Sequence, residues 1–246
     1  MKQKTLNHKK IYVSMFSKIT EHAFGYETED MSQRDKYYHN YLNITNETFT
    51  NEDILAYINK TKVHGFSVIR TEEDIEIDQA MIKDATIDTN GIYGAPVEDL
   101  KFKVKVDATV SRVDPDKDED FFDFLYQDSK NYGESYAIGN TIRQKQVLEA
   151  AKNIYGYFMI KVDGKVIGTL NYCIHEQMAK LDDFVIADDY QKKGYGSKLM
   201  HDVIEYLKKT GINYVYLVTD LDDTAKELYQ KIGFKYITKY QIITIK

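Results

Sequence analysis

The sequence predicts an α/β protein in which helices cover the faces of a mixed (α+β) sheet. From Lys101 onward, β-rich and helix-like segments alternate in the order β-α-α-β-β-β-α-β-α-β. Glycines, rather than the two prolines, separate these segments. A chain of 246 residues, 43% of them hydrophobic, can supply a packed core for such a fold.

The first elements of this alternation are a strand, two helices and a hairpin. Residues 101–110 alternate polar and apolar side chains as a strand does, and the two helix-like segments that follow are separated by Gly133. Two β-rich runs joined by Asp163-Gly164 predict a β-hairpin, because Asp-Gly between alternating apolar runs favours a tight turn.

The later elements surround a glycine-rich turn. Residues 181–187 predict a strand that runs into the turn, and Gly211 is the expected end of the helix after it. Apolar residues at helical spacing mark one face of that helix: Leu199, Met200, Val203, Ile204 and Leu207. A strand at 213–219, a short helix at 224–233 and a closing strand at 235–245 complete the order.

The chain is expected to form two domains. Gly91, Gly94 and Pro96 cluster between periodic segments, which predicts a break at residues 90–100. The interpretation is a smaller N-terminal α/β domain at 1–98 and a second domain at 99–246. Within the first, a helix is predicted at 53–62 and strands at 65–74 and 35–45.

Charge and composition exclude several classes of protein. Residues 1–100 carry 11 Lys/Arg and 17 Asp/Glu, and residues 101–246 carry 22 of each, which gives the net charge of −6. Without a basic stripe, nucleic-acid binding is not expected. No run of 18 apolar residues and no signal-peptide pattern occurs, so a cytoplasmic protein without a membrane partner is expected.

The sequence predicts no metal site and no internal disulfide. Cys173 is the only cysteine, and we expect it to be a small buried apolar residue rather than a nucleophile. The histidines lack metal-ligand spacing. The sequence leaves the choice between monomer and homodimer open.

The glycine turn "YQKKGYGSKLM" predicts an anion site. It fits neither the dinucleotide fingerprint, which needs glycine at Leu199, nor the P-loop, because the order Gly196-Ser197-Lys198 is wrong. It shares with both a strand, a glycine turn and a helix N-terminus, where backbone N–H groups point outward. Lys192, Lys193 and Lys198 would add positive charge.

These residues resemble the GNAT family (GCN5-related N-acetyltransferases). The pattern Q-x-x-G-x-G at Gln191, Gly194 and Gly196 precedes "AKELYQKIGF" at the family's usual distance, and the element order matches from Phe102 to Lys246. The resemblance implies the acyl-CoA N-acyltransferase fold and acetyl-CoA as co-substrate, without a metal. The alternative interpretation of the turn alone is a tight structural connection without a ligand.

The resemblance also implies roles for individual residues. Strand residues Phe184, Val185 and Ile186 would pair with the pantetheine arm, and Tyr229 would protonate the departing CoA thiolate. The pyrophosphate would bind the backbone N–H groups from Lys192 to Ser197, namely those of Lys192, Lys193, Gly194, Tyr195, Gly196 and Ser197. Asp222 stands where the family usually has a cofactor-contacting asparagine, a departure that would either weaken CoA binding or be offset by a lysine. Tyr229 could instead be a core-packing residue.

The resemblance implies that the acceptor substrate is a protonated amine of a small molecule or peptide. A carboxylate is needed near the acceptor nitrogen, and the resemblance assigns it to Asp182. Regular alternation places Lys180, Asp182 and Phe184 on one face and Leu181, Asp183 and Val185 on the other. The turn between the two helices offers the substrate-binding residues Tyr132, Glu134, Ser135 and Tyr136. A solvated strand end is the alternative interpretation of Asp182.

Two functions follow from these patterns. The first is an acyltransferase that moves an acetyl group from acetyl-CoA to a primary amine by direct attack in a ternary complex. The second is a CoA-binding sensor or assembly module without turnover, which Asp222 favours.

The stretch His39-Asn40-Tyr41 resembles the extra N-terminal half of some bacterial members, so the N-terminal region is interpreted as a degenerate partial copy of the fold.

Overall fold

The structure is a computed structural model that describes residues 1–34, 36–78, 80–222 and 224–246. The chain divides into two compact units, each built from separate stretches of sequence. The first unit comprises residues 1–92, 219–226 and 236–246, and the second comprises residues 93–218 and 227–235. These packing units do not coincide with the two sequence ranges predicted as domains, 1–98 and 99–246. The domain boundary at 98/99 stays a prediction.

The first unit contains two α-helices and most of six strands. Its helices are α1 (Lys2–Ser14) and α2 (Asn51–Thr61). Its strands are β1 (Lys18–His22), β2 (Gly25–Glu29), β3 (Tyr41–Ile44), β4 (Ser67–Glu72), the first part of β5 (Thr86–Pro96) and all but the first residue of β11 (Lys235–Ile245). The strands are ordered β1-β2-β3-β4-β11, and β3 and β4 are parallel while the other neighbours are antiparallel.

Helix α2 covers the core of this unit. A capping box starts the helix, since Thr50 Oγ1 accepts from the Asp53 backbone N–H and the Asp53 carboxylate accepts from Thr50. Ile54 and Tyr57 then pack on strand residues such as Ile69. The predicted helix at 53–62 is confirmed.

Two N-terminal predictions were wrong in extent. The strand predicted at 35–45 is only β3, because residues 37–39 form a turn before it, and Asp35 lies outside the described residues. Most of the break predicted at 90–100 is part of strand β5, in which Ile92 and Tyr93 are buried, although the first division between the two units, at 92/93, falls within the predicted range. Glycine in a strand marks close backbone approach as well as a turn, and here the strand continues through Gly91 and Gly94.

The first unit contains a buried pair of titratable side chains, His39 and Asp30. His39 Nδ1 lies 3.2 Å from Asp30 Oδ2, and both side chains are almost fully buried. Burial lowers the pKa of His39 to about 3, although the hydrogen bond to Asp30 opposes this. Burial raises the pKa of Asp30, but hydrogen bonds from His39 and Ser32 outweigh burial and lower it below its usual value.

We expect the protein to lose about 2 kcal/mol of unfolding free energy between pH 7 and pH 5 through His39. The folded pKa lies below the unfolded value of about 6.5, so the unfolded state binds the proton first as the pH falls. Asp30 adds a loss at still lower pH, below its unfolded pKa of about 3.9. Urea denaturation at both pH values measures the loss. The loss of unfolding free energy between pH 7 and pH 5 should be smaller in His39→Gln than in the control His201→Gln. Equal losses in both variants would contradict the assignment of this loss to His39.

The second unit contains four helices and a five-stranded sheet. The helices are α3 (Glu119–Ser129), α4 (Glu134–Ala150), α5 (Tyr195–Lys209) and α6 (Ala225–Ile232), of which residues 227 onward belong to this unit. The strands are β6 (Thr109–Arg112), β7 (Tyr155–Val162), β8 (Lys165–His175), β9 (Met178–Ile186) and β10 (Tyr214–Asp220), of which residues 214–218 belong to this unit, in the order β10-β9-β8-β7-β6. Only β9 and β10 are parallel among these pairs.

Helices α3 and α4 lie on one face of this sheet and α5 lies on the other. Phe121 of α3 packs on Tyr157 of β7, whereas Tyr206 of α5 packs on Phe158, the next residue of the same strand. Alternate side chains of a strand point to opposite faces, which assigns each helix to its face. The sheet is therefore covered on both sides, as the sequence predicts.

Most predicted elements of this unit are confirmed. The element order from β6 to β11 is the predicted one, and Asp163 and Gly164 join β7 to β8 with positive φ angles. Cys173 is buried, and burial raises the pKa of its thiol to about 12. Within the described ranges, no helix is long and apolar enough to cross a membrane.

The first predicted strand of this region was wrong in extent, whereas the last is confirmed. Strand β6 occupies only Thr109–Arg112, because residues 101–108 have no regular structure. The closing strand predicted at 235–245 is confirmed as β11, which pairs antiparallel with β4 from Tyr240–Glu72 to Ile245–Ser67. Strand β4 is also paired with β3 on its other side, so it is an interior strand, which fits its almost continuous burial.

Candidate active site

The glycine turn connects β9 to helix α5. Gln191 holds it closed, because its Nε2 donates to the Ile186 carbonyl at 2.9 Å and to Asp188 Oδ1 at 2.8 Å. Lys192 (φ 58°) and Gly194 (φ 98°) have left-handed backbone conformations. Gly194 is the N-cap, and the helix begins at Tyr195. The Q-x-x-G-x-G pattern is thus a strand-to-helix turn.

The N-terminus of α5 presents unpaired backbone donors. The first N–H groups of a helix have no partner within it, and Gly194 brings no side-chain cap. No acidic residue lies in the first turn, so nothing there opposes the positive end of the helix dipole. Such a terminus favours an anion such as phosphate.

Two of the three lysines near the turn already have partners. Lys193 Nζ donates to the Asp189 carbonyl at 2.7 Å, and Lys198 Nζ lies 2.5 Å from Asp202 Oδ2. The expected extra charge of Lys198 is therefore partly neutralised. Backbone N–H groups, rather than these side chains, supply most of the attraction for an anion.

Gly196 allows the turn to pack closely against the end of β9. A Cβ atom at this position would lie 3.0 Å from Phe184 Cζ and 3.6 Å from Ile186 Cγ1. Contacts of 3.0 Å require the neighbour to move. The absence of a side chain at Gly196 therefore keeps Phe184 and the helix N-terminus together.

Strands β9 and β10 separate beyond Leu181. Their parallel pairing runs from Met178–Tyr214 to Leu181–Leu217. Strand β9 continues to Ile186 while paired with β8 on its other side. Unpaired backbone groups at such a split can bind an extended ligand as an added strand.

A β-bulge in β9 corrects the predicted alternation. Asp182 is opposite Asn171 of β8, but Val185 is opposite Thr169, so Asp183 and Phe184 together oppose one residue. Asp183 has a φ of 45°. Val185 therefore shares the face of Asp182, contrary to the prediction that Phe184 does so, because period-two counting fails at a bulge.

Asp182 is paired with a lysine of its own strand. Lys180 Nζ donates to Asp182 Oδ2, and the lysine side chain is only 8% exposed. A buried ammonium beside the carboxylate stabilises its charged form. The pairing makes Asp182 a weaker candidate for a base, and its catalytic role stays a prediction.

Asp183 is a polar site residue that the sequence did not single out. Its Oδ2 accepts from Tyr157 Oη at 2.5 Å and from Asn171 Nδ2 at 2.9 Å, while the residue itself is exposed. Behind it, Tyr155 Oη accepts from Asn171 and donates to Gln144. The bulge thus places an anchored carboxylate at the surface, on the α3–α4 side of the sheet.

Asp128 at the end of α3 adds a second carboxylate on this side. Burial raises its pKa, and the negative charges of Asp183 and Asp188 raise it further. Such repulsion requires that these carboxylates lie near each other. Only their positions in the fold, not their spacing in the sequence, reveal this acidic region.

The predicted acceptor residues lie in the turn between α3 and α4. Gly133 (φ 108°) makes the turn, as predicted, and the rings of Tyr132 and Tyr136 are 5.4 Å apart. Glu134 accepts from Tyr126 Oη, and this hydrogen bond lowers the pKa of Glu134. Ser135 is exposed beside them. The turn is an accessible aromatic and acidic surface.

Tyr229 and Asp222 lie in different units. Tyr229 is on α6 in the second unit, 8% exposed, with its ring edge-on to Phe234. Asp222 is exposed in the first unit, and its backbone N–H donates to Asp220 Oδ1. The roles of both residues stay predictions. Across the described ranges, no group of His, Cys, Asp and Glu could hold a metal ion.

Residues 119–234 match the model of the acetyltransferase (GNAT) family. This part of the chain is a GNAT-type N-acetyltransferase domain, and it contains the glycine turn, both separating strands and Tyr229. A curated relative is the "uncharacterized N-acetyltransferase CgeE" of Bacillus subtilis, 38% identical over 60 residues. That match covers 24% of this chain and only 23% of the relative.

Solved structures show the same fold along nearly the whole chain. A conserved protein of unknown function from Staphylococcus epidermidis aligns with a TM-score of 0.75 at 22% identity, covering 96% of both chains. A GCN5-related N-acetyltransferase from Kribbella flavida aligns with a TM-score of 0.65 at 12% identity, covering 98% of this chain and 94% of that one. The N-terminal region therefore belongs to a recurring arrangement.

Proposed function

We propose that the protein transfers an acetyl group from acetyl-CoA to a primary amine of a small molecule or peptide. The observation that carries this proposal is the uncapped N-terminus of α5 at the end of β9, where β9 and β10 separate. Within a GNAT domain, this combination supplies an anion site and free strand backbone next to each other.

The chain has groups that suit acetyl-CoA. Backbone N–H groups from Lys192 to Ser197 would bind the pyrophosphate, and backbone groups of Phe184 to Ile186 would pair with the pantetheine arm. A backbone N–H of β9 would stabilise the oxyanion that forms as the amine attacks the thioester carbonyl. Tyr229 would then donate its proton to the departing thiolate.

The acidic region on the α3–α4 side favours a cationic acceptor. Asp183 is exposed and held by Tyr157 and Asn171, and Asp128 lies near enough to interact with it. A protonated amine would be attracted there before it loses its proton. Asp183 is better placed than Asp182 for this task, because Asp182 is paired with Lys180.

The activity is tested by incubating the protein with acetyl-CoA and a panel of primary amines and measuring release of free CoA thiol. Release that depends on the amine supports acetyl transfer. Saturable acetyl-CoA binding without thiol release across mono-, di- and polyamines and N-terminal peptides would favour the CoA-binding module instead. Failure of acetyl-CoA to bind would contradict both.

The adjacent aspartates allow a matched test of the acceptor side. We expect Asp183→Asn to lower kcat/KM for the amine about tenfold to 100-fold, because a carboxylate contact to an ammonium is lost. The loss of kcat/KM should be smaller for Asp182→Asn.

The pH dependence separates proton transfer from binding. If Asp183 accepts the proton, kcat/KM of Asp183→Asn should partly recover toward pH ~10, where the free amine becomes abundant. A loss confined to KM indicates that Asp183 only binds the amine. Identical kinetics for Asp183→Asn and the parent would exclude Asp183.

A further inference from the structure

Arg70 on strand β4 is a buried cation in the first unit. Only 5% of its surface is exposed. Its guanidinium carbon lies 3.7 Å from the ring centroid of Tyr41 and 5.7 Å from that of Tyr240. Stacking on aromatic rings offsets part of the cost of burying a cation. Such aromatic contacts leave N–H donors of the guanidinium for other partners.

The in-plane donors of Arg70 are not fully satisfied by the protein. Its Nε is buried without a hydrogen-bond partner. Among the ion pairs between described residues, none includes Arg70. A buried guanidinium normally has a carboxylate or phosphate partner, because an unpaired buried charge is costly. The missing anion is thus expected to come from a ligand.

Arg70 lines a pocket of about 180 Å³ within this unit. The volume equals that of roughly six liquid water molecules, which suits a ligand of a few heavy atoms. Tyr37 and Tyr38 supply aromatic walls, and Thr86 and Thr244 supply hydroxyl groups. Asp88 and Lys246 also line the pocket, and their opposite charges offset each other. Among the described lining residues, Arg70 is then the one charge without a counterpart, which favours a ligand with a single negative charge over a phosphate dianion.

We propose that this pocket binds a small organic molecule through a single carboxylate group, held by the buried guanidinium of Arg70. The planar fork of Arg matches the two oxygens of a carboxylate. The rings of Tyr37 and Tyr38 contact the apolar part of the ligand. The site belongs to the first unit, so its existence does not depend on acetyl transfer.

Binding is tested with propionate and inorganic phosphate, without CoA or amine, by NMR or calorimetric titration at constant ionic strength. We expect saturable propionate binding that is at least tenfold weaker in Arg70→Gln and unchanged in the matched control Arg34→Gln, which removes an arginine paired with the half-buried Glu29. Phosphate should bind more weakly than propionate. No saturable propionate binding by the parent, or tighter binding of phosphate, would overturn the proposal.

A second variant keeps the test decisive where Arg70→Gln does not fold. Asp88→Asn leaves Arg70 in place and removes the opposing negative charge, so propionate should bind about threefold to tenfold more tightly than to the parent. Unchanged or weaker propionate binding by a folded Asp88→Asn variant would contradict the proposal that this pocket binds a carboxylate. The absence of CoA from every titration separates this result from any failure of the acetyl-transfer assay.

Discussion

Replacing Gly196 with valine is expected to weaken acetyl-CoA binding by a factor of about 100 or more, equivalent to about 2.7 kcal/mol. Even a Cβ atom would lie 3.0 Å from Phe184 Cζ, so the larger side chain must push Phe184 or the helix N-terminus aside. It would also cover the N–H groups that are proposed to hold the pyrophosphate. Calorimetric titration of acetyl-CoA measures the loss.

Ser197→Ala is the matched control for Gly196→Val. It lies next in the same helix turn, keeps every backbone N–H and adds no bulk, so its acetyl-CoA affinity should equal that of the parent. Thermal unfolding establishes that each variant is folded. A folded Gly196→Val protein with the affinity of the parent would remove the turn from the proposed CoA site.

Changing Tyr229 to phenylalanine is expected to lower kcat about 100-fold if protonation of the thiolate limits the rate. The ring and its edge-on contact with Phe234 are kept, so stability and acetyl-CoA affinity should change little. Single-turnover measurements of thiol release isolate the chemical step. The corresponding surface change, Tyr236→Phe, should have no effect on this rate.

An unaltered chemical rate in Tyr229→Phe would assign Tyr229 to core packing, the alternative that its burial allows. In that case the stability of the variant would still be near that of the parent, because only one hydroxyl is removed. The two interpretations therefore differ in kcat and agree in stability. This makes the kinetic measurement the informative one.

Local patterns predicted the elements whose structure is decided locally. The helical spacing that includes Leu199 and Val203 gave α5, and Asp163-Gly164 gave the β7–β8 turn, because helix periodicity and turn conformation depend on nearby residues. The Q-x-x-G-x-G pattern likewise located the strand-to-helix turn. All three are features that a few consecutive residues determine.

Features that depend on distant partners were not predictable in this way. The bulge at Asp183 carries no glycine to mark it, so regular alternation assigned Val185 to the wrong face. The hydrogen bonds from Tyr157 and Asn171 to Asp183 join three strands. Arg70 would be expected to face solvent from its charge alone, yet tyrosines from β3 and β11 enclose it.

The pairing of β4 with β11 has a consequence for synthesis on the ribosome. Ser67 is opposite Ile245, so β4 emerges long before the strand that completes its ladder. Until then, one edge of β4 has no native partner and is open to wrong pairing. The intervening stretch 93–218, by contrast, is nearly a complete unit by itself. In nascent chains of increasing length that are stalled before residue 236, the second unit should therefore become resistant to protease at a shorter chain length than the first.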